Sequence, residues 1–215
     1  MLPPMSAASG PASENYELSC DWLTPNIPIW QQITDQLKPR KILEVGAYEG
    51  GSTCWLIETC SVHHAIELHA VDTWEGGEEH QGLDMSVIRK RFVRNVKLAQ
   101  SRAGNPVTLV EHVMQSDDAL LKIIHEQGAG SFDLIYIDGS HRAPDVIIDA
   151  ILGFKLLRSQ GVMIFDDYPW KTDAPGADNP LNSPKMAIDA FTTLFAQQLN
   201  ILPGVPLYQF VVKKR

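Results

Sequence analysis

Three aspartates and one histidine carry the densest chemistry in this sequence. Asp138 follows the apolar run Phe132 to Ile137, and the pair Asp166-Asp167 follows the run Val162 to Phe165. If those runs are neighbouring strands, three carboxylates converge at one rim. Like charges packed together repel unless a cation neutralises them or a proton is retained. Hard oxygen ligands with room for water suit Mg2+ or another octahedral divalent cation; a solvated acidic rim is the plainer alternative. His141 lies three residues past Asp138. An ordinary pKa of about 6.5 suits it to general-base work at neutral pH, or it is simply a surface histidine.

A second constellation lies earlier, in Glu44-Val-Gly-Ala-Tyr-Glu-Gly-Gly-Ser-Thr53. Glycines between a strand and a helix let backbone approach a ligand, and the helix start offers free N–H groups to a carboxylate or phosphate. A plain turn is the other reading. Tyr48 replaces the second glycine of the dinucleotide fingerprint G-x-G-x-x-G, and no Gly-Lys-Ser/Thr follows, so neither a dinucleotide loop nor a P-loop is present. Asp72 ends the next apolar run and is placed to accept hydrogen bonds from a ribose diol, or to cap a loop. Trp74 and Trp170 follow strand ends, where they flank a ligand or pack the core.

Around these residues, helical patterns and short apolar strands alternate along the chain. Ile27, Ile29, Trp30, Ile33 and Leu37 recur at helical spacing before Lys38-Pro39. Strands are expected at 41–45, 65–71, 107–112, 132–137 and 162–165. Helices are expected at 52–61 (capped by Ser52), 87–98, 119–125 and 146–157, with a final helix after the loop 168–185. This alternation predicts a doubly wound α/β sheet, mostly parallel and covered on both faces. Two last runs, near 200–202 and 207–212, are separated only by Pro203-Gly-Val-Pro206, too short for a parallel crossover, so an antiparallel C-terminal hairpin is expected. Ligands of such sheets sit at the strands' carboxyl ends, and those ends carry Gly46, Asp72, Asp138 and Asp166.

The 215 residues fit one domain, residues 16–215, behind a Pro/Ser/Ala/Gly-rich leader at 1–15 that reads as flexible. Eighteen Lys and Arg against 26 Asp and Glu give a net charge of −8, which disfavours nucleic acid as a partner. No apolar run approaches the roughly 20 residues of a membrane span, and no signal peptide is evident. Cys20, Cys54 and Cys60 lack a disulfide or zinc spacing and read as structural thiols, so a cytoplasmic protein is expected. A homodimer stays open, because Trp30 and Ile33 of the first helix would cover either the sheet or a second subunit.

On these residues the chain resembles class I S-adenosylmethionine-dependent methyltransferases over roughly residues 25–215. Glu44 to Ser52 is similar to the first motif of the catechol-type O-methyltransferases, Glu-x-Gly-x-x-x-Gly-x-Ser. The resemblance implies a Rossmann-like sheet and assigns Glu44, Gly46, Tyr48, Gly50 and Ser52 to the methionine end of S-adenosylmethionine. It gives Asp72, Thr73 and Trp74 to the ribose side, and Gln115-Ser116-Asp117 to adenine. Asp138 and His141 border the cofactor and act in catalysis, and Asp138, Asp166 and Asp167 match the metal-binding pattern shared with bacterial sugar and antibiotic O-methyltransferases. Two positions depart from the catechol-type pattern. That pattern commonly has Asp-Asn at 166–167, and a catalytic lysine where this chain has His141.

The implied reaction is methyl transfer to the hydroxyl of a small-molecule acceptor, assisted by Mg2+ or another divalent cation, with His141 taking the proton. A metal-independent N- or protein methyltransferase, a nicotinamide oxidoreductase and a non-catalytic adenosyl-binding protein are the rival readings. Long loops at 74–82 and 168–185 have the composition of substrate lids.

Overall fold

The computed structural model describes residues 15–77, 80–171, 179–205 and 208–215; the expected leader lies outside them apart from Asn15. Seven strands form one sheet in the order β3-β2-β1-β4-β5-β7-β6: β1 (Lys41–Val45), β2 (Ile66–Val71), β3 (Val107–His112), β4 (Phe132–Ile137), β5 (Leu157–Phe165), β6 (Leu199–Ile201) and β7 (Phe210–Lys214). The first five pair in parallel, and β7 pairs antiparallel with both β5 and β6. This is the expected α/β architecture with its antiparallel tail.

Among the described residues six α-helices cover the sheet: α1 (Ile27–Leu37), α2 (Gly51–Cys60), α3 (Met85–Arg102), α4 (Ser116–Gln127), α5 (Ala143–Leu156) and α6 (Pro184–Leu194). The strand runs are nearly all apolar because both faces are buried. Leu43, Ile135 and Met163 point to the α4–α5–α6 face, while Ile42, Leu134 and Ile164 point to the α1–α2–α3 face. Trp30 and Ile33 are buried on this second face, so α1 covers the sheet, with the Trp30 ring edge-on to Tyr136 at 4.7 Å.

Several boundaries differ from the sequence expectation. Helix α5 starts at Ala143 instead of 146, with Pro144 in its first turn, where a missing N–H costs nothing. Strand β5 reaches back to Leu157, and the tail strands lie one to three residues from their expected positions. Ser52 does not cap α2. Gly50 is the N-cap in a left-handed conformation, and the Ser52 hydroxyl is spent on the buried Glu44 carboxyl instead. Cys54 and Cys60 are free and buried in one apolar cluster, where burial pushes both thiols up, Cys60 to about 12. No helix among the described residues is long and apolar enough to cross a membrane.

The chain runs outward from β1 to β3 and then returns to β4, so the sheet's switch point lies between β1 and β4. Backbone bonds level the strand ends there. Asp72 N–H donates to His112 O (3.1 Å), Gly46 N–H to Val71 O (2.8 Å), Asp138 N–H to Val45 O (2.8 Å) and Asp166 N–H to Ile137 O (3.0 Å). One rim thus carries the glycine loop and all four aspartates.

Candidate functional site

The glycine loop is tied down from both sides. Glu44 points from β1 toward α2, fully buried, and accepts hydrogen bonds from the hydroxyls of Ser52 and Thr53. Burial pushes its carboxyl up to about 7 although both hydroxyls favour the ionised form. Gly46 has φ +86°, and a Cβ there would meet the Asp138 carbonyl oxygen at 1.9 Å, so only glycine allows the loop this close to the end of β4. Tyr48 also lies in the left-handed region (φ 47°); its ring stacks on His80 at 5.0 Å and meets Trp22 at 5.7 Å.

Asp72 fastens the loop to the end of β2. Its Oδ2 accepts the Ala47 and Tyr48 N–H groups, both at 2.9 Å, and its Oδ1 accepts the Trp74 N–H at 2.7 Å. A carboxylate offers about four acceptor positions, so one is left for a diol. Thr73 accepts the Glu75 N–H at 3.1 Å and shapes the following turn. Trp74 is packing: its ring lies on Phe92 at 4.8 Å and its Nε1–H donates to Tyr48 O at 2.9 Å. Gln115 is the N-cap of α4 and Ser116 its first residue, with Asp117 accepting the Asp118 N–H at 2.8 Å. Behind Ser116 lies Asp149 of α5, 1% exposed; burial pushes its carboxyl up to about 7 although the Ser116 hydroxyl favours the ionised form.

At the other side of the switch point, Asp138, His141 and Asp167 offer ligand atoms that all lie within 4.8 Å of one another. Nε2 of His141 is 2.9 Å from Oδ2 of Asp167, and Trp170 lies beside the imidazole at 4.2 Å between ring centres. Asp166 belongs to the same cluster but turns inward. Its Oδ2 accepts from the Tyr136 hydroxyl and from Gln209 Nε2 (2.9 Å), and its Oδ1 accepts the Asp167 N–H (2.9 Å). Burial, with Asp166 and Asp167 alongside, pushes the Asp138 carboxyl well above the usual range, and burial raises Asp166 as well. Tyr136 touches Asp138 at 2.8 Å as well as Asp166, yet it has one proton to give; the second contact needs a proton on a carboxyl. The two carboxylates, each partly open to solvent, fit a hard divalent cation, which would relieve that crowding, with the imidazole beside them.

The structure therefore brings together Asp138, His141 and Asp167, and seats Asp166 one step behind them. Tyr136 and Gln209, which hold Asp166, were not singled out by the sequence, and Trp30, which holds Gln209, was read only as a packing residue. Tyr136 had a signal, since it lies two residues before Asp138 and shares its strand face. Gln209 had none. Glu49 was also missed: it is buried and takes Arg91 (2.5 Å) and the Ser19 N–H (2.6 Å), fastening the segment before α1 over the glycine loop.

Comparisons with known proteins agree with this fold. By fold, the chain is similar to an O-methyltransferase from Bacillus cereus in complex with SAH (TM-score 0.61, 18% identity, 94% of this chain and 84% of that one). It is also similar to TomG from Streptomyces achromogenes, an O-methyltransferase involved in tomaymycin synthesis, in complex with SAM (TM-score 0.56, 16% identity, 93% and 81%). By sequence it is 28% identical over 142 residues to the uncharacterized protein y4gI of Sinorhizobium fredii, covering 65% of this chain but only 14% of the length of that relative. The Methyltransf_24 family, described as a methyltransferase domain, matches residues 43–168, from β1 through the acidic rim. That match spans more than half of the sequence, and the chain belongs to this methyltransferase family.

Proposed function

We propose that this domain transfers a methyl group from S-adenosylmethionine to a hydroxyl of a small molecule, with a divalent cation held at the acidic rim. The observation that carries this reading is the meeting of Asp138, Asp167 and His141 at the switch point, next to the glycine loop. The fold neighbours support it, being O-methyltransferases described with SAH and SAM. A net charge of −8 speaks against nucleic acid as the acceptor.

In this reading Gly46, Tyr48 and Gly50 border the methionine end of the cofactor, Ser52 and Glu44 brace that loop, and the free acceptor position of Asp72 takes the ribose. The start of α4 at Gln115, Ser116 and Asp117 borders adenine. The chain's main contribution is alignment, because methyl transfer needs nucleophile and methyl donor in line. Asp138 and Asp167 would hold the cation, with Asp166 bracing them; such an ion supplies charge that lowers the pKa of a bound hydroxyl and fixes its position. His141 would take the hydroxyl proton. The resulting imidazolium then has the carboxylate of Asp167 against it, the contact already seen at 2.9 Å.

Calorimetric titration of S-adenosylmethionine into chelator-treated protein, repeated with Mg2+ and a panel of polyhydroxylated acceptors, tests this. Cofactor heat in both series, with methyl transfer only in the presence of Mg2+, is the expected result. Transfer unaffected by chelator would move the assignment to a metal-free methyltransferase. Absence of cofactor heat would overturn the methyltransferase reading of the site.

A further inference from the structure

Asp167 leaves ordinary backbone geometry at the point where the rim needs its carboxylate. Its φ of 53° lies in the left-handed region, which costs a non-glycine residue energy and which its neighbours here hold in place. The Asp167 N–H donates to Oδ1 of Asp166 at 2.9 Å, so the turn depends on where the Asp166 side chain stands. That side chain is held in turn on Oδ2, by the Tyr136 hydroxyl and by Gln209 Nε2.

Gln209 is itself fixed at its other end. The Trp30 indole N–H donates to Gln209 Oε1 at 2.8 Å, and the Trp30 ring stands edge-on to Tyr136. Trp30, Tyr136 and Gln209 are each 3% exposed or less, so no solvent competes for these bonds. A primary amide suits the position because one end accepts from the indole and the other donates to the carboxylate; a carboxylate or an alkyl side chain there loses one or both bonds. The chain of contacts runs from α1 through the start of β7 to Asp166, and by the Asp167 amide to a carboxylate 2.9 Å from His141.

We propose that Gln209 and Tyr136 are positioning residues. They hold Asp166 as an anchor and thereby the left-handed turn that aims Asp167 at the pocket it shares with Asp138 and His141. This inference rests on the cation reading above. It divides the labour within the aspartate pair: Asp167 faces the pocket, and Asp166 acts through the backbone of Asp167. A purely structural role for the same bonds would lower the melting temperature of a variant and leave cation affinity alone.

Mn2+ serves as the probe, titrated by calorimetry and by electron paramagnetic resonance in the presence of S-adenosylhomocysteine. The comparison is between wild type, Gln209→Met and Tyr136→Phe. Loss of a partner behind a metal ligand typically weakens metal binding 10- to 100-fold. Each variant is expected to bind Mn2+ at least about tenfold more weakly, with S-adenosylhomocysteine affinity within about twofold of wild type. Unchanged Mn2+ affinity in both variants, with Mn2+ bound by wild type, overturns the proposal and leaves the cation reading standing. No Mn2+ binding by wild type overturns both. If Gln209→Met fails to bind S-adenosylhomocysteine and so has not folded, Gln209→Asn, which keeps the amide and shortens its reach, decides the outcome, because Tyr136→Phe also loses the 2.8 Å contact to Asp138.

Discussion

Replacing Gly46 by alanine tests the joint on which the site depends. The added Cβ would stand 1.9 Å from the Asp138 carbonyl oxygen, 2.5 Å from its carbon and 2.9 Å from Gly139 Cα. Side-chain Cβ atoms essentially never come closer than 3.0 Å, and all three obstacles are backbone, so no rotamer relieves the clash. The ends of β1 and β4 must separate by at least the difference, 1.1 Å. That movement strains the Asp138 N–H to Val45 O bond and the Gly46 N–H to Val71 O bond, both 2.8 Å. Each is worth about 1 kcal/mol net. A φ of +86° adds about 1–2 kcal/mol for a residue that carries a Cβ.

The sum is about 3–4 kcal/mol, and at about 2–4 °C per kcal/mol for a domain of this size the melting temperature should fall by roughly 6–16 °C. Gly82→Ala is the matched control. Its φ is +89°, but among the described residues nothing lies within 4 Å of the added carbon, so it carries the conformational term alone. Calorimetric melting of both variants, with S-adenosylhomocysteine titration of each, isolates the clash. Gly46→Ala should melt well below Gly82→Ala and lose ligand affinity, because Asp138 moves with its carbonyl. Equal melting temperatures for the two variants would refute the rigid abutment of loop and strand end.

Other outcomes follow from the same contacts. Asp72→Ala frees the Ala47, Tyr48 and Trp74 amides together, and S-adenosylhomocysteine affinity should drop at least tenfold; affinity within twofold of wild type would show that the loop holds its shape without this carboxylate. His141→Gln should cut kcat by about 10²- to 10⁴-fold, the usual share of a general base, with cofactor binding kept; full turnover would remove His141 from the chemistry. An aromatic disulfide reagent should titrate Cys20 readily in the native protein and reach Cys54 and Cys60 only after unfolding, and three fast-reacting thiols would contradict their burial.

What the sequence made legible follows from how local each signal is. Strand ends carrying Gly46, Asp72, Asp138 and Asp166 could be placed because each apolar run stops at a glycine or an acid, and the structure levels these ends at one rim. The antiparallel tail was legible because four residues cannot make a crossover. Side-chain direction was not legible. Asp166 and Asp167 look equivalent in the chain, yet one is turned inward by Gln209, 43 residues away, and Gln209 depends on Trp30, 179 residues away. The same limit applies to His69 and His112, which show no partner pattern in sequence. The parallel register of β2 and β3 brings their rings within 2.9 Å, with Glu67 at the far side of His69 (2.7 Å).

Those histidines and the buried carboxyls pull stability in opposite directions with pH. Both bonds of the pair are satisfied by neutral rings, with His69 donating to Glu67 and His112 donating to His69; Lys41, Lys122 and Glu126 supply the nearby charge. Burial lowers both histidines, His112 from 6.5 to about 4. Between those values the unfolded chain binds a proton that the fold refuses, so this group's contribution is lost as pH falls from 6.5 toward 4. Glu44 and Asp149 do the reverse. Their folded values are about 7 against 4.5 and 3.8, so the fold keeps protons the unfolded chain has released, and their contribution is lost as pH rises toward 7. Each term has a limiting slope of about 1.4 kcal/mol per pH unit, and Asp138 and Asp166, raised as well, add to the side that falls as pH rises. Asp149→Asn removes one falling term. The stability of that variant, measured by urea unfolding, should therefore rise relative to wild type as pH increases between about 4 and 7; a difference that stays constant with pH would mean that Asp149 is ionised throughout.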